Sequence, residues 1–334
     1  MEHVRLIYEQ LEAAKGHLLR GDVLNCRLAL ILLDNAAELL MARVLREEFA
    51  FADYFYPPDR APRLDGDLKA KYTSEEREAA LWEFEPKLRL LGHHMKTITG
   101  QERAVLKICH RLRNETFHAG TIRHRILAQT TILLFQTVVG LTRKFPVGPF
   151  VLPGGRPAQA DADFLARFEL PDPMRFAFDD GREQVARKLL EGIALDGRAF
   201  AEMLSEDLVN RVDESIFGGL NTLNDGRAAD IDRNLQYGQF WQEEGIELAK
   251  AGMRLPELDE AFERWQAAGK AKYTVRKIEK WRHHAELIAR RDKPSQAFEE
   301  WYALDQKIQP LEEGIGKAVV EYEDRINAEI HDRR

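Results

Sequence analysis

An all-α protein of two helical parts is predicted by three features of the chain. Apolar residues recur every three to four positions over most of its length, most strongly from Asp22 to Ala50 and from Thr121 to Arg143. Strand-like alternation is confined to two short runs, Phe164–Leu170 and Arg175–Phe178, joined by Pro171-Asp172-Pro173. Prolines and glycines crowd into Phe145–Ala160, where Pro146, Pro149, Pro153, Gly154, Gly155 and Pro157 mark a domain boundary. The expected organisation is an antiparallel helical bundle over residues 1–145 and a linker over 146–180 in which the two alternating runs are candidates for a short β-hairpin. A second helical domain of unknown role is expected over 181–334.

The elements follow in order. Glu2–Arg20 is a helix with Val4, Ile7, Tyr8, Leu11, Ala14 and Leu18 on one side. Gly21-Asp22 breaks the chain and offers an N-cap. In the next helix Leu24, Leu28, Ile31, Leu32, Ala36, Leu39, Leu40 and Val44 are expected to face inward, with the acids Asp34 and Glu38 four apart. An acid on an apolar face is costly unless paired, so these two are either exposed or in contact with the side of the site that carries Arg113. Phe51–Gly66 is aromatic and proline-broken, and so a loop. Thr73-Ser74-Glu75-Glu76 opens a helix running to about Leu91 with a kink before Pro86, and Thr99-Gly100-Gln101-Glu102 opens another. A further helix follows Gly120, with Ile126, Leu127, Thr130, Leu133, Leu134, Thr137, Val138 and Leu141 inward. Beyond Gly181 helices are expected near 182–191, 197–212, 230–251, 256–268, 271–291 and 295–331. Trp241, Trp265, Trp281 and Trp301 serve as core anchors, and the last two helices as a solvent-facing arm or partner surface.

Composition limits the function. Charged residues make up 31% and hydrophobic residues 44% of 334, with a net charge of −7 and a pI of about 5.9. A general nucleic-acid coat is basic, so any RNA contact here must be a local patch. Cys26 and Cys109 fall inside apolar helix patterns and read as buried, reduced thiols of a cytoplasmic protein. The N-terminus is charged from Glu2 onward and the longest apolar run, Leu28–Leu33, is far too short to span a bilayer, so neither a signal peptide nor a membrane partner is expected. No P-loop, GxGxxG, HExxH or paired CxxC occurs, so no cofactor is expected. The adjacent pairs His93-His94 and His283-His284 lack acids or Cys at ligand spacing, so no metal is expected either.

The chemistry concentrates in Arg111-Leu-Arg-Asn-Glu-Thr-Phe-His-Ala-Gly120, at the end of the amphipathic run that begins at Gln101. Arg113, Asn114 and His118 gather a fixed cation, a neutral hydrogen-bonding group and a proton carrier suited to neutral pH within about two turns of helix. That set is suited to a phosphodiester. Lys107, His110, Arg111, Arg123, His124 and Arg125 make a basic cluster round it, of which Lys107, His110, Arg111, Arg123 and Arg125 are candidates for substrate binding. Asp34 and Glu38 are candidate supporting acids.

An Arg directly followed by a polar residue, with a His closing the helix, resembles the motif of the HEPN superfamily (higher eukaryotes and prokaryotes nucleotide-binding). Leu33-Asp34-Asn35-Ala36-Ala37-Glu38-Leu39-Leu40 is similar to a helix that often faces that motif in the family. The resemblance covers about residues 1–145. It implies a metal-independent endoribonuclease in which two protomers join their motifs into one composite cleft. It further implies Arg113, Asn114 and His118 as the catalytic set, RNA as substrate and a homodimer through the N-terminal bundle. Many HEPN proteins are toxins or phage-defence effectors, so a protein partner or antitoxin on the C-terminal helices is a further expectation. The alternative is a non-catalytic HEPN-like module that binds a nucleotide or partner. Where some HEPN toxins have a Tyr before the motif His, Phe117 has no hydroxyl to be adenylylated.

Overall fold

The structure, a computed structural model, describes residues 2–55, 73–119, 123–145, 159–170, 179–223 and 231–332. All regular structure among the described residues is helical, with no strand. The chain divides into two compact units, Met1–Asp196 and Gly197–Arg334.

In the first unit, α1 (Glu2–Arg20) lies along α2 (Val23–Phe55) and buries Ile7, Tyr8, Leu11, Ala14 and Leu18. The next two helices begin where the sequence places caps. At Thr73 the hydroxyl accepts from the Glu76 N–H while the Glu76 carboxylate accepts from the Thr73 N–H, which starts α3 (Ser74–Trp82). The helix expected to continue to Leu91 breaks at extended Glu83 and restarts as α4 (Phe84–Arg89), because Pro86 is tolerated only in a first turn. A wider π-turn, Leu90–His94, follows. The same reciprocal cap at Thr99 and Glu102 starts α5 (Gly100–Asn114), which ends in a π-turn over Glu115–Ala119. Then α6 (His124–Lys144) buries Ile126, Leu127, Leu133, Leu134, Phe135, Val138, Val139 and Leu141 against α1, α2 and α5. By length and composition α6 is apolar enough to cross a membrane, yet 61% of that window is buried within the protein.

The inward face of α2 differs from the expected one. Cys26, Ala29, Leu30, Leu33, Asp34, Ala36, Ala37, Leu40, Met41 and Leu45 are buried, whereas Leu24, Leu28 and Leu39 are exposed. The helix is apolar nearly all round, so its sequence period cannot choose between faces two positions apart; packing against α1, α5 and α6 chooses.

The hairpin is also corrected. Residues 159–167 form α7 (Gln159–Arg167), which buries Phe164 and Leu165; Phe164 and, just beyond the helix, Phe168 pack on Tyr8, whose ring lies 5.8 Å from that of Phe164. The second alternating run lies outside the described residues, as does the proline–glycine stretch at 146–157. The unit boundary falls later than that stretch, at Asp196/Gly197, because α8 (Asp179–Leu190) packs on α6 and α1, with Lys15 Nζ donating to the Lys188 carbonyl at 2.6 Å.

The second unit begins with α9 (Gly197–Asn210), extended by a π-turn over Arg211–Gly218 and a last turn Gly219–Thr222. It continues with α10 (Ile231–Phe240, then a π-turn and Ile246–Lys250), α11 (Leu255–Ala267), α12 (Val275–Ile288) and α13 (Pro294–Asp332). The four tryptophans are buried as expected. The last two helices are not an arm. α12 buries Ile278, Trp281, Ala285 and Ile288, and α13 buries Phe298, Trp301, Leu304, Ile308, Leu311 and Ile315, forming the centre of this unit. Their stripe is diluted by the polar residues Asp305 and Glu312, which pair internally with Arg211. Gly238 of α10 and Gly314 of α13 let the two helix backbones approach closely.

Candidate functional site

The end of α5 lies against the middle of α2, and the contact is charged. Val105, Leu106, Ile108, Cys109 and Leu112 form the buried face of α5, and His110 and Arg113 flank it. Asp34 of α2 is only 2% exposed. It accepts from Arg113 Nε at 2.7 Å, lies 2.5 Å from Arg113 Nη2, and has both carboxylate oxygens 3.1 Å from His110 Nδ1. Glu38, one turn further along α2, accepts from Arg113 Nη2 at 3.3 Å and lies 3.7 Å from His110 Nδ1. Lys87 of α4, itself 3% exposed, brings Nζ to 3.7 Å from the other Glu38 oxygen. Phe84, one turn earlier on α4, stacks flat on His110 with ring centres 3.8 Å apart and planes 6° apart.

A buried carboxylate, Asp34, and a half-buried one, Glu38, thus meet two cations, Arg113 and Lys87, which is the arrangement that makes burial of charge tolerable. A carboxylate only accepts, so the ring proton of His110 that faces Asp34 sits on Nδ1. Among the described residues nothing pairs with His110 Nε2 or with Arg113 Nη1. Burial, with the charge of Asp34 nearby, pushes the Cys109 thiol well above its ordinary value, so this thiol is a packing group.

Ligand atoms of Asp34, Glu38 and His110 lie within 4.8 Å of one another, close enough to share a metal ion. The charge of the two acids is already matched by Arg113 and Lys87, and an ion shared with His110 would have to take the Nδ1 position that already faces Asp34. The donor set favours an internal ion-pair cluster over a cation site.

The π-turn changes how the motif residues are spaced. A π-turn carries one more residue per hydrogen-bonded ring than an α-turn. Positions 113 and 118, five apart in sequence, therefore stand to each other about as positions four apart do in an α-helix. By the same count, positions 110 and 118 stand about as positions seven apart, which share a face. The His118 side chain itself lies outside the described residues. Asn114 is half-buried, and among the described residues no group hydrogen-bonds its amide.

The expected substrate-binding cations are less available than their number suggests. Lys107 Nζ lies 2.8 Å from Glu85, which Arg111 also approaches at 3.7 Å. Arg123 lies 3.5 Å from Glu115, and Arg125 is exposed. Sequence reasoning missed Lys87, Phe84, Glu85 and Arg27, the last of which donates to the Thr116 carbonyl at 3.4 Å and ties the start of α2 to the motif turn. Lys87 lies in the charged stretch Glu85-Pro86-Lys87-Leu88-Arg89, which carries no signal that sets this lysine apart. Comparison with protein-family models, curated proteins and solved structures finds no match for this chain.

Proposed function

We propose that the first unit is a metal-independent endoribonuclease of the HEPN type that works as a homodimer. The observation that carries this reading is the clamp on Arg113. Asp34 and Glu38 hold the guanidinium by Nε and Nη2 and leave Nη1 directed at no described group. An arginine fixed on one edge and open on the other is suited to stabilising charge on a phosphate, as a flexible side chain is not. His118 moves a proton, Asn114 orients, and Arg113 stabilises the crowded phosphate. The products are a cyclic phosphate and a 5′-hydroxyl.

The surface beside the motif supports the dimer. Leu24 and Leu28 are 62% and 39% exposed on either side of Arg27, and Phe117 is 64% exposed next to Thr116, to which Arg27 bonds. This apolar border suits a second copy, which brings a second motif to the same cleft. The expected partner or antitoxin would meet the outer faces of the second unit's helices, and a role as toxin or defence effector rests on the family resemblance alone.

The test is incubation of the purified chain with RNA in EDTA. Cleavage giving cyclic-phosphate ends is expected, with loss of about 10²–10⁴-fold in His118→Ala and comparable loss in Arg113→Lys, which lacks the planar fork. Cleavage that stops on chelation, or His118→Ala cutting as well as wild type, refutes the reading. One observation favours the adaptor alternative: Lys107, Arg111 and Arg123 already face acids, which weakens any anion-binding patch. A folded dimer that cuts no RNA decides for it.

A further inference from the structure

We infer that His110 is a second proton-transfer residue of this site, the general base that takes the proton from the ribose 2′-hydroxyl, with Asp34 as its positioning residue. This rests on the ribonuclease reading but assigns a role that the Arg113–His118 motif leaves unfilled. Cleavage by 2′-OH attack needs one group to accept a proton and another to donate one. With a single motif histidine, a composite cleft has to use the two copies of His118 for both tasks.

The geometry of His110 is that of an oriented base. Asp34 receives the Nδ1 proton on both oxygens at 3.1 Å, which fixes the tautomer and leaves the lone pair on Nε2. Phe84 stacks on the ring at 3.8 Å and holds its plane. Asp34 cannot turn away, because Arg113 holds it at 2.7 and 2.5 Å. The charged groups round the imidazole are Asp34 and Glu38 of α2, Arg113 of α5 and Lys87 of α4, and they balance. The His110 side chain is 18% exposed, so its free edge reaches solvent. Its position on α5 shares a face with position 118 because of the π-turn.

In the step itself the 2′-O–H bond breaks and its proton passes to Nε2 of His110 as the 2′-oxygen bonds to phosphorus. The phosphorus–O5′ bond breaks and O5′ takes a proton from His118. Electrons stay paired throughout and no co-reactant is consumed.

The experiment compares wild type, His110→Asn and His118→Ala on RNA and on uridine 3′-(p-nitrophenyl phosphate), whose leaving group needs no proton. Asn keeps an N–H for Asp34 in the Nδ1 position, so the cluster is preserved, and circular dichroism checks the fold. Expected is a loss of about 10²–10⁴-fold for His110→Asn on both substrates. His118→Ala should lose as much on RNA but recover most of its rate on the ester. Nitrogen-15 spectra of the histidines should show His110 protonated at Nδ1, and Asp34→Asn should release that tautomer. His110→Asn within about threefold of wild type on RNA, or its recovery on the ester, overturns the assignment and leaves the ribonuclease reading standing. A folded wild type that cuts neither substrate refutes that reading, and the role of His110 with it.

Discussion

The pairing of Asp34 with Arg113 sets how strongly the end of α5 is fixed to α2, and a double-mutant cycle measures it. In Arg113→Ala, a carboxylate 2% exposed keeps, among the described residues, only His110 as a close partner. Removing one partner of a fully buried pair costs about 3–5 kcal/mol. The Arg113 side chain is 24% exposed, so water replaces part of what is lost and about 2–4 kcal/mol is expected. In Asp34→Ala, the guanidinium still has Glu38 at 3.3 Å but loses two charge-assisted hydrogen bonds, and His110 Nδ1 loses its acceptor; at about 1.5–3 kcal/mol per charge-assisted bond, reduced by solvation, about 2–4 kcal/mol is expected in all. The double variant removes both groups, and the coupling between them should be about 2 kcal/mol, within the range seen for residues in one network. Four of the five tryptophans, Trp241, Trp265, Trp281 and Trp301, lie in the second unit, so fluorescence follows the wrong unit. Urea-dependent hydrogen exchange of α2 and α5 amides in the full chain is the measurement. A coupling below about 0.5 kcal/mol would mean that water screens the pair, and the argument for a pre-set Arg113 would fail with it.

Further predictions concern other parts of the molecule. A Cβ on Gly238 would stand 2.5 Å from Ile315 Cγ1, and one on Gly314 would meet the Gly238 carbonyl, so Gly314→Ala should destabilise the second unit by about 1–3 kcal/mol in urea titrations followed by tryptophan fluorescence. Gly16→Ala meets nothing within 4 Å on α1 and should instead stabilise the first unit by about 0.4–1 kcal/mol. Burial opposes ionisation of Glu102, but the hydrogen bonds from Lys144 and from the Thr99 N–H and hydroxyl outweigh it and hold the carboxyl below its ordinary value. Its contribution is therefore present above about pH 4.3 and lost as pH falls through the lower folded value, so wild type should lose more stability than Glu102→Gln on acidification in that window. Leu24→Asp combined with Leu28→Asp should yield a folded monomer in light scattering; a persistent dimer would place the interface elsewhere.

What the sequence made legible, and what it did not, divides along physical lines. Caps are local: Thr73 with Glu76 and Thr99 with Glu102 need only three residues of separation, and both helix starts fall where those pairs stand. The inward stripes of α1, α5 and α6 are also local, because each has a polar side to contrast with its apolar one. α2 has little contrast, so its face is settled by its neighbours, and Asp34 turns out to be buried where the pattern left exposure open. The hairpin failed because Phe164, Leu165 and Phe168 are too few to separate a period of two from one of 3.6, and Tyr8, far away in sequence, decides. The same holds for the tail, where acids that look solvent-facing along α13 are the partners of Arg211.

The site shows the same division. Arg113, Asn114 and His118 are visible as a motif because they are neighbours in sequence, and the resemblance adds Asp34 and Glu38 as candidate supporting acids, but the other members of the cluster, Lys87 and Phe84, carry no such signal. Asp34 is 79 residues from Arg113, and Lys87 enters from a separate helix. The π-turn is a backbone event with no residue signature, yet it converts a spacing of five into the geometry of a spacing of four. A motif thus names the groups that carry charge and protons. Whether a basic residue faces substrate or an acid of its own chain is a long-range matter, and for Lys107, Arg111 and Arg123 it resolves toward the acid. His110 shows the converse: counted by its sequence position it is one more cation in a patch, but held by Asp34 at Nδ1 and by Phe84 on its face, it has a second nitrogen of defined direction that no described group engages.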